Sequence, residues 1–250
     1  VWPRTTELRK GPDPMRMVGV MAGTLYITGD VAADRLLNTD ANALLIGMLL
    51  DQQVPMEWAF AGPATLQQRL GHLDPARIAA MDEDDFVSVC CEKPAIHRFP
   101  GSMGKRIHQV CNVLCDEYDG DAANLWAEAD SGTEIYRRLK ALPGYGDEKS
   151  KIFVAILGKT QGITPAGWRN AAGKFGDDEP RSVADITDEV SLEGSRVEKG
   201  AEGRQEGQAG PTARRLIAVQ SRRAARQRSS SRRGAPRSPA AKARRWARRG

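Results

Sequence analysis

Histidine, cysteine and aromatic residues are scarce in this sequence, and each scarcity excludes something. The 250 residues include three histidines and four cysteines, and 6% are aromatic. His72, His97 and His108 are scattered, with no His-x3-His or Cys-x2-Cys pair, so no zinc ligand set is expected. Val1 to Gly19 is charged throughout and has no apolar stretch of the kind a secretory signal needs. Cys90, Cys91, Cys111 and Cys115 then argue for reduced thiols in a cytoplasmic protein rather than a disulfide framework. Long apolar runs are missing too. The longest, Ala43 to Leu50, is far short of the roughly 20 residues that span a bilayer, so no membrane partner is expected. P-loops, dinucleotide fingerprints and a Ser-His-Asp order are also absent.

Charge is abundant but uneven. Residues 201–250 hold 15 Lys and Arg against 2 Asp and Glu, whereas residues 1–200 hold 22 against 30. An acidic body therefore carries a basic tail. The tail offers few apolar side chains, so burial cannot offset chain entropy, and 196–250 is expected to be disordered. Two readings of it stand side by side. It is a basic arm for nucleic acid, or it is the Arg/Ala/Gly/Ser/Pro mixture that a GC-rich gene gives when read out of frame. Residues 1–22 show Pro, Gly and charge without periodicity and are also expected to be disordered, with Met21 as an alternative start. The expected domain is 23–195, long enough for a real core.

Within that domain the pattern is helical. Asp40 is placed to cap a helix Ala41–Gln53, apolar almost all round and hence a core helix. Ala32–Leu37, Met56–Leu70 after Pro55, Asp82–Cys91, Met103–Tyr118, Glu134–Leu139 after Ser131 and Asp147–Leu157 follow. Pro100-Gly101-Ser102 reads as a break and Gly158 as a stop. A helix is expected after Pro165 and another near Ala184. Only Leu25–Ile27 reads as a strand, so the fold class is all-α. Cys111 and Cys115 share an apolar helix face and read as core. Trp58, Trp126, Trp168, Tyr145 and Phe175 are the aromatic residues available to line a pocket.

The most informative segment is helix, Leu142-Pro143-Gly144-Tyr145-Gly146, helix. Two glycines free the backbone and let another backbone approach. The second helix then opens with its unpaired N–H groups and positive dipole end, which suit an anion such as a DNA phosphate. Lys149 and Lys151 add charge on its first turns. A packing corner between two helices is the alternative. Two further motifs stand earlier in the chain. Leu44-Leu45-Ile46-Gly47-Met48-Leu49-Leu50-Asp51-Gln52-Gln53 is an apolar helix ending in paired glutamines. Pro100-Gly101-Ser102-Met103-Gly104-Lys105-Arg106-Ile107 is a small-residue turn leading into a basic, then apolar, helix.

In this order the three motifs resemble the helix-hairpin-helix DNA glycosylase superfamily, the endonuclease III-like and alkyladenine glycosylase-like enzymes of base excision repair. The resemblance spans Leu25 to Asp185. It implies a helical domain in which Leu142, Gly144, Tyr145, Gly146, Lys149, Lys151 and Lys105 hold double-stranded DNA, with Tyr145 beside a phosphate and a monovalent cation at the hairpin. Gln52 or Gln53 would fill the gap left by an extruded damaged base or read its edge. A nucleoid-associated monomer is the expected form.

The chain departs from the family where the chemistry sits. Bifunctional members carry a Schiff-base lysine where Glu148 stands here. Lys149 lies one residue on, about 100° around the helix. A monofunctional N-glycosylase without lyase activity is therefore expected. The family's aspartate would fall at Ala166, Gly167 or Trp168, none of which can replace it. Asp185, in Arg181-Ser182-Val183-Ala184-Asp185, and Asp51 are the substitute carboxylates. A carboxylate that ends an apolar helix invites a perturbed pKa. With no cysteine after Cys115, no iron-sulfur cluster is expected, nor any other cofactor. Two other functions remain open: a non-catalytic sensor of damaged or abasic DNA, and an all-α interaction module.

Overall fold

The computed structural model describes residues 23–195. The extensions at 1–22 and 196–250, expected to be disordered, lie outside the described residues. Among the described residues the regular structure is helical, so the chain is all-α there. Short acidic or hydroxyl side chains start five of the ten α-helices among the described residues by accepting free N–H groups. Asp30 caps α1 (Val31–Thr39), Asp40 caps α2 (Ala41–Leu50), Asp74 caps α4 (Pro75–Ala79), Asp82 caps α5 (Glu83–Cys91) and Ser131 caps α8 (Gly132–Ala141). The remaining helices are α3 (Met56–Leu70), α6 (Pro100–Glu117), α7 (Asn124–Ala127), α9 (Asp147–Thr160) and α10 (Trp168–Ala172). Two 3-10 turns follow, Gly173–Phe175 and Val183–Asp185, and residues 189–195 are helical.

α2 has no solvent face. Leu44, Leu45, Ile46, Met48, Leu49 and Leu50 are all buried, as its uniform apolarity requires. Each such side chain is worth about 1.5–3 kcal/mol in transfer free energy. α1 and α3 pack on α2, α4 and α5 pack on α6, and α8 and α10 pack on α9. One continuous hydrophobic cluster joins them, from Leu25 to Leu192.

Besides shifts of one or two residues at other helix ends and the short α4 and α7, which the sequence pattern did not show, four features differ from that pattern, each for a physical reason. α2 stops at Leu50 rather than Gln53, because the backbone leaves the helical region at Asp51 (ψ 76°) and turns left-handed at Gln53 (φ +61°). α6 begins at Pro100, not after it: proline is at home at a first helical position, whose N–H needs no partner. α9 runs through Gly158 to Thr160. That glycine makes room for a neighbour, since a Cβ there would lie 2.4 Å from the Trp168 ring. Leu25–Ile27 is extended but joins no sheet. Its N–H groups go to the Asn38 and Asp34 side chains, and Tyr26 N–H goes to the Ile186 carbonyl (3.0 Å).

Candidate nucleic-acid interface

Three segments far apart in sequence meet beside the C-terminal end of α2. The hairpin comes first. Gly144 has φ +84°, a left-handed conformation, and a Cβ there would lie 2.7 Å from Leu49 Cδ1 and 3.4 Å from Arg106 Cδ. Tyr145 N–H closes the turn onto the Leu142 carbonyl (3.1 Å). Leu142 is buried. Gly146 precedes α9 with extended backbone and no side-chain cap, and a Cβ there would meet nothing within 4 Å. Packing therefore demands glycine at 144 and not at 146.

The glutamine turn is second. Asp51 follows the last turn of α2, half-buried, and Gln53 is exposed with φ +61°. The Gln52 carbonyl meets His97 Nε2 (3.0 Å), while His97 Nδ1 accepts the Phe99 N–H (2.9 Å). That pairing assigns the proton to Nε2. His97 is fully buried, and its pKa falls below the ordinary histidine value chiefly through desolvation.

Arg106, on α6, ties the two together. Its Nη1 donates to Gln52 Oε1 (3.0 Å), and its stem lies against Gly144. Sequence reasoning passed over Arg106 in favour of Lys105 beside it. The structure turns the two side chains in different directions. Lys105 points toward α5 and pairs with Glu83 (2.8 Å) and Asp84 (3.6 Å). The signal was available: Arg106 lies one residue along the helix, about 100° around it.

The hairpin lysines also face inward or sideways. Lys149 Nζ donates to the Leu49 carbonyl (2.8 Å), capping the end of α2. Burial pulls its pKa down to about 8, with Arg106 adding to the effect and Asp51 opposing it. Lys151 pairs with Asp147 (3.0 Å), which also accepts from the Tyr136 hydroxyl. Tyr145 needs the plainest correction. Its ring is buried edge-on to Phe153, and its hydroxyl donates to the Leu45 carbonyl (2.6 Å). The side chain anchors the hairpin to α2 and is buried rather than presented at the surface; burial pushes the phenol pKa well up.

Asp185 is likewise engaged within the fold. One oxygen pairs with Lys159 (2.5 Å); the other accepts from Arg181 N–H (2.9 Å) and Ser182 N–H (3.0 Å) in a capping box. Lys159 and Lys149 are ten residues apart on α9, about 15 Å along its axis. Asp185 thus sits by the far end of α9, away from the hairpin. Asp51 is the carboxylate that stands at the convergence.

Among the remaining aromatics, Trp126 and Phe175 are core. Trp168 packs on Gly158 and stacks under Arg169 (4.9 Å). Trp58 is exposed, with its indole N–H on the Ala95 carbonyl (3.1 Å). Cys90 and Cys111 are buried free thiols whose pKa values are pushed up to about 12 by desolvation, inert core groups. Cys115, half-buried, is less enclosed than its apolar spacing suggests. Among the described residues no three His, Cys, Asp or Glu side chains gather as a metal site, and no helix is long and apolar enough to cross a membrane.

For a monovalent cation at the hairpin, backbone carbonyls are suitable hard donors, but that of Leu142 already accepts the Tyr145 N–H. That oxygen keeps a second lone pair, so this bond does not bar an ion there. No protein-family model matches this sequence, and no curated protein sequence matches it significantly.

Proposed function

We propose that this chain is a base-excision repair protein of the helix-hairpin-helix glycosylase kind. It grips duplex DNA at the hairpin and hydrolyses the N-glycosidic bond of an extruded damaged base without lyase chemistry. The convergence of the hairpin, the Asp51-Gln52-Gln53 turn and Arg106 carries this reading. These are the motifs that resemble the family, and they form one surface.

The backbone at Gly146 is open to a close approach by a phosphate, at the N-terminal end of a 14-residue helix. The helix N-terminus favours an anion, although Asp147 and Glu148 share its first turn. The stretch 93–106 has no acid and supplies Lys93, Arg98 and Arg106, Lys105 being paired with Glu83 and Asp84, in a described body of 16 Lys and Arg against 27 Asp and Glu. Gln53, exposed in its left-handed turn, is placed to enter the duplex where a base leaves it. Extrusion costs a few kcal/mol, and damage lowers that cost. Asp51 then serves as the carboxylate: the C1′–N bond breaks, the base takes the bonding pair, and water adds to C1′ as Asp51 accepts its proton.

A second reading, a non-catalytic sensor of abasic or distorted DNA, is favoured by the same acids and by Asp185 being fully engaged in the fold. One assay separates the readings. The chain is incubated with labelled duplexes carrying uracil, hypoxanthine, oxidised guanine, alkylated purines or an abasic site, then treated with hot alkali. Strand cleavage of one lesion only after alkali, lost in Asp51→Asn, supports the glycosylase. No cleavage with tight binding to the abasic duplex supports the sensor. Neither cleavage nor lesion-selective binding leaves an all-α interaction module. The alignment has its own test: Glu148→Lys should yield a borohydride-trapped adduct with abasic DNA.

A further inference from the structure

The described residues expose few large apolar side chains: Val31, Trp58, Phe99 and Val190. Two of these four lie on either side of one histidine. The Trp58 and His97 rings are 6.4 Å apart and inclined at 30°; His97 and Phe99 are 6.0 Å apart and inclined at 46°. His97 is the ring bound to the Gln52 carbonyl, so the row abuts the glutamine turn.

The row is rigid. Trp58 stands in the first turn of α3 with its indole N–H on the Ala95 carbonyl. Phe99 is the residue before α6, held by its N–H on His97 and followed by Pro100. Arg98 covers the Phe99 ring at 5.4 Å. Arg98 on the Phe99 ring and Arg106, whose charge acts on His97, lie in the acid-free stretch 93–106 and bring cations to the row, with Glu57 the acid next to Trp58.

We infer that Trp58 and Phe99, spaced by His97, are a stacking surface for unpaired nucleobases of distorted DNA, beside the strand that the hairpin holds. Flat exposed rings flanked by cations are the chemistry that takes single-stranded nucleotides regardless of sequence, because every base presents a π face. The phosphates of such a strand are matched by Arg98. The inference rests on the DNA-binding reading and deepens it: the substrate is DNA with bases already out of the stack.

The test uses the full chain and two labelled duplexes, one intact and one with a bulge of unpaired thymidines. Residues 201–250 add charge attraction to both duplexes, so the quantity read is the ratio of affinities. The wild type is expected to favour the bulged duplex by about tenfold, the worth of stacking one or two bases. Phe99→Ala should bring the ratio near one, and Phe99→Tyr should restore it. Gly146→Ala should weaken both affinities alike and keep the ratio. Equal wild-type affinity for the two duplexes overturns the stacking surface and leaves duplex binding standing. A preference that survives Phe99→Ala overturns it as well. Binding to neither duplex overturns both this inference and the reading on which it rests.

Discussion

Gly144 and Gly146 flank one residue, yet the structure gives them opposite energetics. Alanine at 144 must adopt φ +84°, and a left-handed conformation costs a non-glycine residue about 1–2 kcal/mol. Its Cβ would also press on Leu49 Cδ1 at 2.7 Å. Leu49 is fully buried in the core, so relief requires a rotamer shift or a hairpin displacement costing about 1–2 kcal/mol more. The sum is about 2–4 kcal/mol, which for a domain of this size lowers Tm by roughly 5–15 °C. Alanine at 146 meets neither obstacle. Its φ of −88° and ψ of −178° suit any residue, and nothing lies within 4 Å of the added methyl. Losing a glycine from the unfolded ensemble then stabilises by about 0.4–1 kcal/mol. Thermal and urea unfolding of the two variants and the wild type check this directly. Gly144→Ala should melt well below the wild type, and Gly146→Ala at or slightly above it while binding DNA more weakly. If Gly146→Ala were as destabilised as Gly144→Ala, the hairpin would need both glycines for folding alone, and the argument that position 146 is kept open for a phosphate would fail.

Three further outcomes are expected. Lys149 has a folded pKa near 8, below that of an unfolded lysine, so the unfolded chain holds more protons between the two values and stability rises with pH across that window. Urea unfolding of wild type and Lys149→Met should therefore show their difference moving in favour of the wild type by about 2–3 kcal/mol from pH 7.5 to 10; a flat difference would mean the ammonium is solvated. Asp185→Asn removes the Lys159 partner and weakens the capping box, and should lower stability by about 2 kcal/mol while leaving any base release intact. Lost base release at unchanged Tm would instead make Asp185 catalytic. Gly158→Ala drives a methyl into the Trp168 ring and should cost about 1–3 kcal/mol, read as a lowered Tm with altered tryptophan fluorescence.

That the described domain is all-α, and where many of its helices begin, is written in the chain. Caps and apolar periodicity are local signals: Asp40 and Ser131 act within three residues of themselves, and the uniform apolarity of Leu44–Leu50 already requires burial on every side. The segments of interest were legible too, because a glycine-rich turn before a helix and paired glutamines after one are contiguous features. Only the tertiary structure decided which side chains those segments aim outward. Lys149, Lys151, Lys105 and Tyr145 read as binding groups in the chain, yet each is claimed by an internal partner that lies elsewhere in the sequence or on a neighbouring turn. Arg106, His97 and Phe99 gain their places only because α6 begins at Pro100 and lays its first turns beside the end of α2. The glycines at 144, 146 and 158 look alike in sequence and differ in backbone conformation and in what a Cβ would touch. Hydrogen-bond partners and Cβ clearances depend on how helices stack, a property of pairs of segments that no single segment encodes.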